Sequence, residues 1–139
     1  MVRRLVLGGA VLAVLAVGSA QAATSPADVV RAWSRALNAN DNERAAQLFA
    51  PNARVIQPGV DVRLNTHRLA VAFNDALPCA GRIVGIRVRG DSATATFVLG
   101  TRPKHRCDGL GQRAAALFVV RSGKIVRWQQ VPVPQSPTA

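Results

Sequence analysis

The chain of 139 residues has no tyrosine, only two cysteines, and seven acids against eighteen Lys and Arg. Without tyrosine, no reaction step can use a phenol as acid or hydrogen-bond donor. Two cysteines cannot build a four-thiolate metal site, and no C-x-x-C pair is present. Sixteen of the cations are Arg and two are Lys, a bias that fits a GC-rich genome better than a chosen chemistry. No aromatic residue interleaves with the loop cations as base stacking requires, so nucleic acid is not an expected partner. What is present in quantity is apolar: 49% of the residues, which excludes the composition of a disordered chain. The length suits one domain.

The first segment reads as an address rather than as fold. Arg3 and Arg4 precede an uncharged apolar run over residues 5–17, and Ala20, Gln21 and Ala22 give a small-x-small cleavage site. The run is short of the roughly 20 apolar residues of a membrane span. Residues 1–22 are therefore expected to be a secretory signal peptide, with an uncleaved anchor as the alternative, and the protein is expected to be secreted or held in the cell envelope. In an oxidising compartment an even cysteine count points to a disulfide between Cys79 and Cys107. The alternatives are free thiols, or a metal held by both cysteines with His105 and His67. No metal and no cofactor is expected.

Residues 23–134 read as one domain and 135–139 as a frayed tail. Ser25 and Pro26 open a helix with an apolar stripe of Val29, Val30, Trp33, Ala36 and Leu37. Asp41 caps a short second helix bearing Ala45, Ala46, Leu48 and Phe49. Strands are expected at 54–57 and 60–64, and Thr66 opens a third helix with Leu69, Ala70, Phe73, Ala76 and Leu77. The pattern then switches to period two. Strands at 82–89 and 93–99 form a hairpin around Gly90 and Asp91, and strands at 112–121 and 124–133 form another around Ser122 and Gly123. Helices first and strands afterwards imply an α+β fold, three helices on one face of a mostly antiparallel sheet.

This order resembles the nuclear transport factor 2-like superfamily, which includes ketosteroid isomerases and SnoaL-type cyclases. The likeness rests on Ala36-Leu37-Asn38-Ala39-Asn40-Asp41, on Ala46-Gln47-Leu48-Phe49-Ala50-Pro51-Asn52-Ala53, and on the closing Gly123-Lys124-Ile125-Val126. The resemblance implies a strongly curved sheet folded as a cone, its concave side closed by the helices around an apolar pocket. It also implies pairing of two copies through the convex face, where Phe118 and Val120 are expected beside Ile125 and Arg127. The isomerases use a first-helix tyrosine, an aspartate before a proline at the end of the first strand, and a late-sheet aspartate. The matching positions here are Trp33, Gln57 and the segment 115–117, none of which can perform those roles.

Few other groups remain for catalysis. Asp75 and Asp91 read as solvated, and Asp61 and His67 read first as a solvent-facing loop acid and an early-helix histidine of a non-catalytic binding or accessory domain, with a dyad of an isomerase, cyclase or hydrolase as the alternative. Strand alternation places Val126, Trp128 and Gln130 on the inward face, the face without Arg127, with Leu117 and Val119 paired onto it. Together with Trp33 and Gln57 they are expected to line a pocket for a small apolar ligand, unless they simply fill the core. The cations at Arg102, Lys104 and Arg106 read first as a solvated surface, with an anionic envelope polymer or lipid headgroup as the alternative partner of this loop.

Overall fold

Local chemistry starts each helix. In the computed structural model, which describes residues 24–135, Ser25 accepts the amide of Asp28 and Pro26 begins α1 (Pro26–Asn38). Asp41 accepts from the Arg44 amide at the start of α2 (Asn42–Gln47), and Thr66 accepts from that of Leu69 at the start of α3 (His67–Ala76). Each cap satisfies an amide that the helix itself leaves unpaired. Leu48 caps α2 rather than extending it, and Phe49 already belongs to β1 (Phe49–Gln57), a strand longer than the sequence pattern suggests. The other strands are β2 (Val60–Leu64), β3 (Ala80–Arg89), β4 (Ser92–Gly100), β5 (Arg113–Arg121) and β6 (Lys124–Val131). The expected signal peptide lies outside the described residues, as does the expected tail beyond Gln135.

The six strands form one open sheet in the order β2-β1-β6-β5-β4-β3, antiparallel except for the β1–β6 pair. Register shifts in β1–β6, β3–β4 and β5–β6 bend it. The fold is the expected α+β arrangement of three helices on a curved sheet. All six aromatic residues of the chain meet on its inner face in edge-to-face or tilted pairs, with Trp33 against Phe97, Phe118 and Trp128, and Phe73 bridging Phe49 and Trp128. The Ser122-Gly123 turn joins β5 to β6 with positive φ at both residues, as a two-residue hairpin requires.

One extra residue changes which side chains face inward. Val119 pairs with Arg127, but Val120 pairs with Ile125, so Val126 is a bulge. Plain alternation carried back from Trp128 through the turn is then out of phase by one. Ala116, Phe118 and Val120 point inward with Ile125 and Trp128, while Leu117 and Val119 lie on the outer face. Phe118 and Ile125 are fully buried, so the outward positions expected for Phe118, Val120 and Ile125 are corrected, as is the inward position expected for Val126.

Candidate functional site

A cavity of about 270 Å³ lies between α1, the start of β3 and the inner faces of β4, β5 and β6. Trp33, Leu37, Phe97, Leu99 and Trp128 give it apolar walls, and Leu77, Pro78 and Cys79 close one side. Four of the seven residues expected at the pocket border it: Trp33, Gln57, Trp128 and Gln130. Leu117, Val119 and Val126 do not, for the reason of phase given above. Their places are taken by the small side chains of Ala114, Ala115 and Ala116, which leave room where larger residues would fill it.

The polar groups of the cavity divide sharply. At the α1 end they satisfy one another: the Ser34 hydroxyl and the Asn38 amide donate to Gly81 O at 3.2 and 2.9 Å, and Gly81 N donates to Asn38 Oδ1 at 2.9 Å. A side chain at Gly81 would strike Phe97, with contacts down to 2.9 Å, so the strand approaches this closely only as glycine. The Trp33 indole donates to Asn74 Oδ1 at 2.8 Å and is thereby withdrawn from any ligand. At the opposite end Gln57 and Gln130, on neighbouring strands, have no side-chain partner among the described residues. The Trp128 indole N–H is buried, likewise without a partner. No lining side chain is an acid, a base or a free thiol.

Asp61 and His67 are not brought together. Asp61 lies opposite Ile56 on the outer face of the sheet, where Arg54 holds it with contacts of 2.8 and 2.5 Å. The hydrogen bond from Arg54 keeps its carboxyl below the usual carboxylate range; slight desolvation opposes this, and the charges of Arg54, Arg63 and Arg127 reinforce it. His67 begins α3 and pairs with Glu43 at 2.6 Å, beside a separate hollow of about 150 Å³ bounded by Phe49, Leu64 and Ala70. Neither residue borders the larger cavity.

The basic loop also differs from expectation at one residue. Arg102 is 1% exposed, and its guanidinium donates to Asn74 O at 2.7 Å, to Leu77 O and to Asn42 Oδ1. Burial pushes its pKa below the ordinary value and the Asp75 carboxylate acts against that shift. Of the loop cations Lys104 and Arg106 remain at the surface, and Arg106 pairs with Asp108 at 3.1 Å. Cys79 and Cys107 are joined in a disulfide, with Cα atoms 4.7 Å apart. Among the described residues no cluster of His, Cys, Asp or Glu could hold a metal ion.

Comparison with known proteins places this geometry. The family model of the SnoaL-like domain matches residues 30–128. Among solved structures, a nuclear transport factor 2-like protein from Cytophaga hutchinsonii is similar at a TM-score of 0.65 and 13% identity, over 82% of this chain and 93% of that one. A protein of ketosteroid isomerase-like fold from Catenulispora acidiphila, in complex with trimethylamine, gives 0.63 and 18%, over 78% and 87%. A candidate polyketide cyclase from Sinorhizobium meliloti gives 0.61 and 24%, over 75% and 94%. At these identities the structures attest the fold alone. No curated protein matches the sequence. The family model spans most of the chain, from α1 to β6, and the chain belongs to the SnoaL-like domain family.

Proposed function

We propose that this is an exported domain that binds a small, uncharged, mainly apolar molecule and does not transform it. The observation that carries the reading is the cavity itself: about 270 Å³ of space with no titratable side chain in its lining. General acid–base catalysis needs a group within hydrogen-bond reach of the reacting proton, and the amides of Gln57 and Gln130 cannot serve as one near neutral pH. The enzymatic alternative through Asp61 and His67 lacks a shared site, because each is paired elsewhere. A charged ligand would meet no counter-charge in the cavity and would lose its hydration on entry. The volume lies just below the common range for ligand sites, which suits a molecule of one or two rings. Export rests on the pattern of residues 1–22 and agrees with a disulfide, a bond that persists in oxidising compartments.

Quenching of the Trp33 and Trp128 fluorescence offers a direct test with a panel of naphthalene, 2-naphthamide, 2-naphthoate and 2-naphthylmethylamine. The two neutral probes are expected to bind and the two charged ones to bind far more weakly. In Gln57→Leu with Gln130→Leu, affinity for the amide falls about tenfold, the worth of one or two hydrogen bonds, while naphthalene is unaffected. Asp61→Asn with His67→Gln leaves all four affinities unchanged. Absence of binding by both neutral probes would sink the reading.

A further inference from the structure

The outer face of the sheet carries a charge pattern that the cavity does not use. Residues paired across strands share a face, and the register places Arg89, Ser92, Val119, Arg127, Arg54 and Arg63 in one row running across all six strands from β3 to β2. The next row runs Arg87, Thr94, Leu117, Gln129, Ile56 and Asp61. Arg82 shares the face through its pairing with Val98. Like charges directly opposite destabilise a sheet, yet Arg54 faces Arg127 on one side and Arg63 on the other. The one acid among these residues, Asp61, is already held by Arg54. Arg127 gives one guanidinium nitrogen to Gln129 at 2.5 Å, and its Nε is buried without a partner. All three helices pack on the other side of the sheet, α1 against β3, β4 and β5.

We infer that this face docks on a membrane surface bearing anionic phospholipid. The arginines form two groups, on β3 and on β6–β1–β2, about 14 Å apart by the spacing of strands, with Arg113 of β5 on the same face between them, opposite Val98. Between them lie half-buried Leu117, Val119 and Thr94, with no acid. Charge spread in two dimensions around an aliphatic strip matches a lattice of headgroups better than a linear polymer, which favours a groove. Arginine takes phosphate oxygens in a bidentate fork, and its stem can rest on the aliphatic strip while its head stays at the phosphates. A second copy is a poor occupant, since two apposed faces would bring together the same excess of arginine, with the one acid in these rows, Asp61, already held by Arg54. The site is distinct from the loop at Arg102, which is turned inward.

The test uses the chain from residue 23 onward, which holds every helix and strand of the described residues, and vesicles of phosphatidylcholine with and without phosphatidylglycerol. Co-sedimentation is expected only with phosphatidylglycerol, and is lost at about 1 M salt, where the Debye length is about 3 Å. Arg82→Gln, Arg87→Gln and Arg89→Gln together weaken partitioning about a hundredfold, at about 1 kcal/mol for each cation near the surface. Arg31→Gln, Arg35→Gln and Arg44→Gln on α1 and α2 remove the same charge and leave it nearly unchanged. Equal loss in both variants would reduce the effect to net charge and overturn the assignment. Binding of soluble polyphosphate without vesicle binding overturns it in favour of a linear polyanion. A dimer in light scattering that fails to bind vesicles and dissociates in the β3 variant gives the face to a second copy.

Discussion

Arg102→Met lowers the stability of the domain by about 3 kcal/mol, because a buried donor to three acceptors is removed and its apolar replacement satisfies none of them. The acceptors belong to segments far apart in sequence: Asn74 O and Leu77 O at the end of α3, and Asn42 Oδ1 on α2. The carbonyls at a helix end have no partner within the helix and carry its negative dipole, so a cation there is favoured twice. Asn74, wholly buried, passes the order onward through Trp33 Nε1 to Asn74 Oδ1 at 2.8 Å and Asn74 Nδ2 to Ala70 O at 2.8 Å. The loop is latched a second time by His105, whose ring lies 2.7 Å from both Pro103 O and Asp75 O. Arg102→Lys recovers only part of the loss, since one ammonium cannot reproduce a planar fork. Urea unfolding monitored by tryptophan fluorescence measures the difference. A midpoint equal to that of the parent protein would show that solvent satisfies the helix end without Arg102.

The starts of α1, α2 and α3 were legible because they depend on neighbours in sequence. Ser25 with Pro26, Asp41 and Thr66 each act on an amide three residues ahead, and the structure shows all three bonds. The sheet was legible as an order of strands but not in phase. Arg127 marks the outer face of β6 correctly, so Trp128 and Gln130 are inward as alternation requires. The bulge at Val126 lies between Ile125 and Arg127, three residues past Gly123, where the turn residues already account for the hairpin and nothing marks one more, and the error passed across the hairpin to Leu117, Val119, Phe118 and Val120. Asn74 did leave a signal, since Ala70, Phe73, Asn74 and Leu77 follow helical spacing and put an amide in the buried stripe of α3. Arg102 left none. Its partners lie 25 to 60 residues away, and nothing within a loop of cations distinguishes the one that turns inward.

Loss of the disulfide in Cys79→Ala with Cys107→Ala costs about 3–4 kcal/mol, the chain entropy released by opening a loop of 28 residues. The bond links the segment after α3 to a loop that carries Lys104 and Arg106 at the surface and few apolar residues to anchor it. Its effect reaches the cavity as well, because Leu77, Pro78 and Cys79 form one wall. Without the bond, that wall is held to the loop chiefly through Arg102 and His105. The variant is therefore expected to bind naphthalene more weakly under conditions where it is still folded, in addition to unfolding at lower urea. Combining it with Arg102→Met should cost more than the sum of the two single changes, since each fixes the loop that the other also holds. Intact mass of protein collected from an exporting host should show both the loss of residues 1–22 and two hydrogens fewer than the reduced chain. Two thiols labelled in the native, unreduced protein would exclude the bond and, with it, the coupling between loop and cavity.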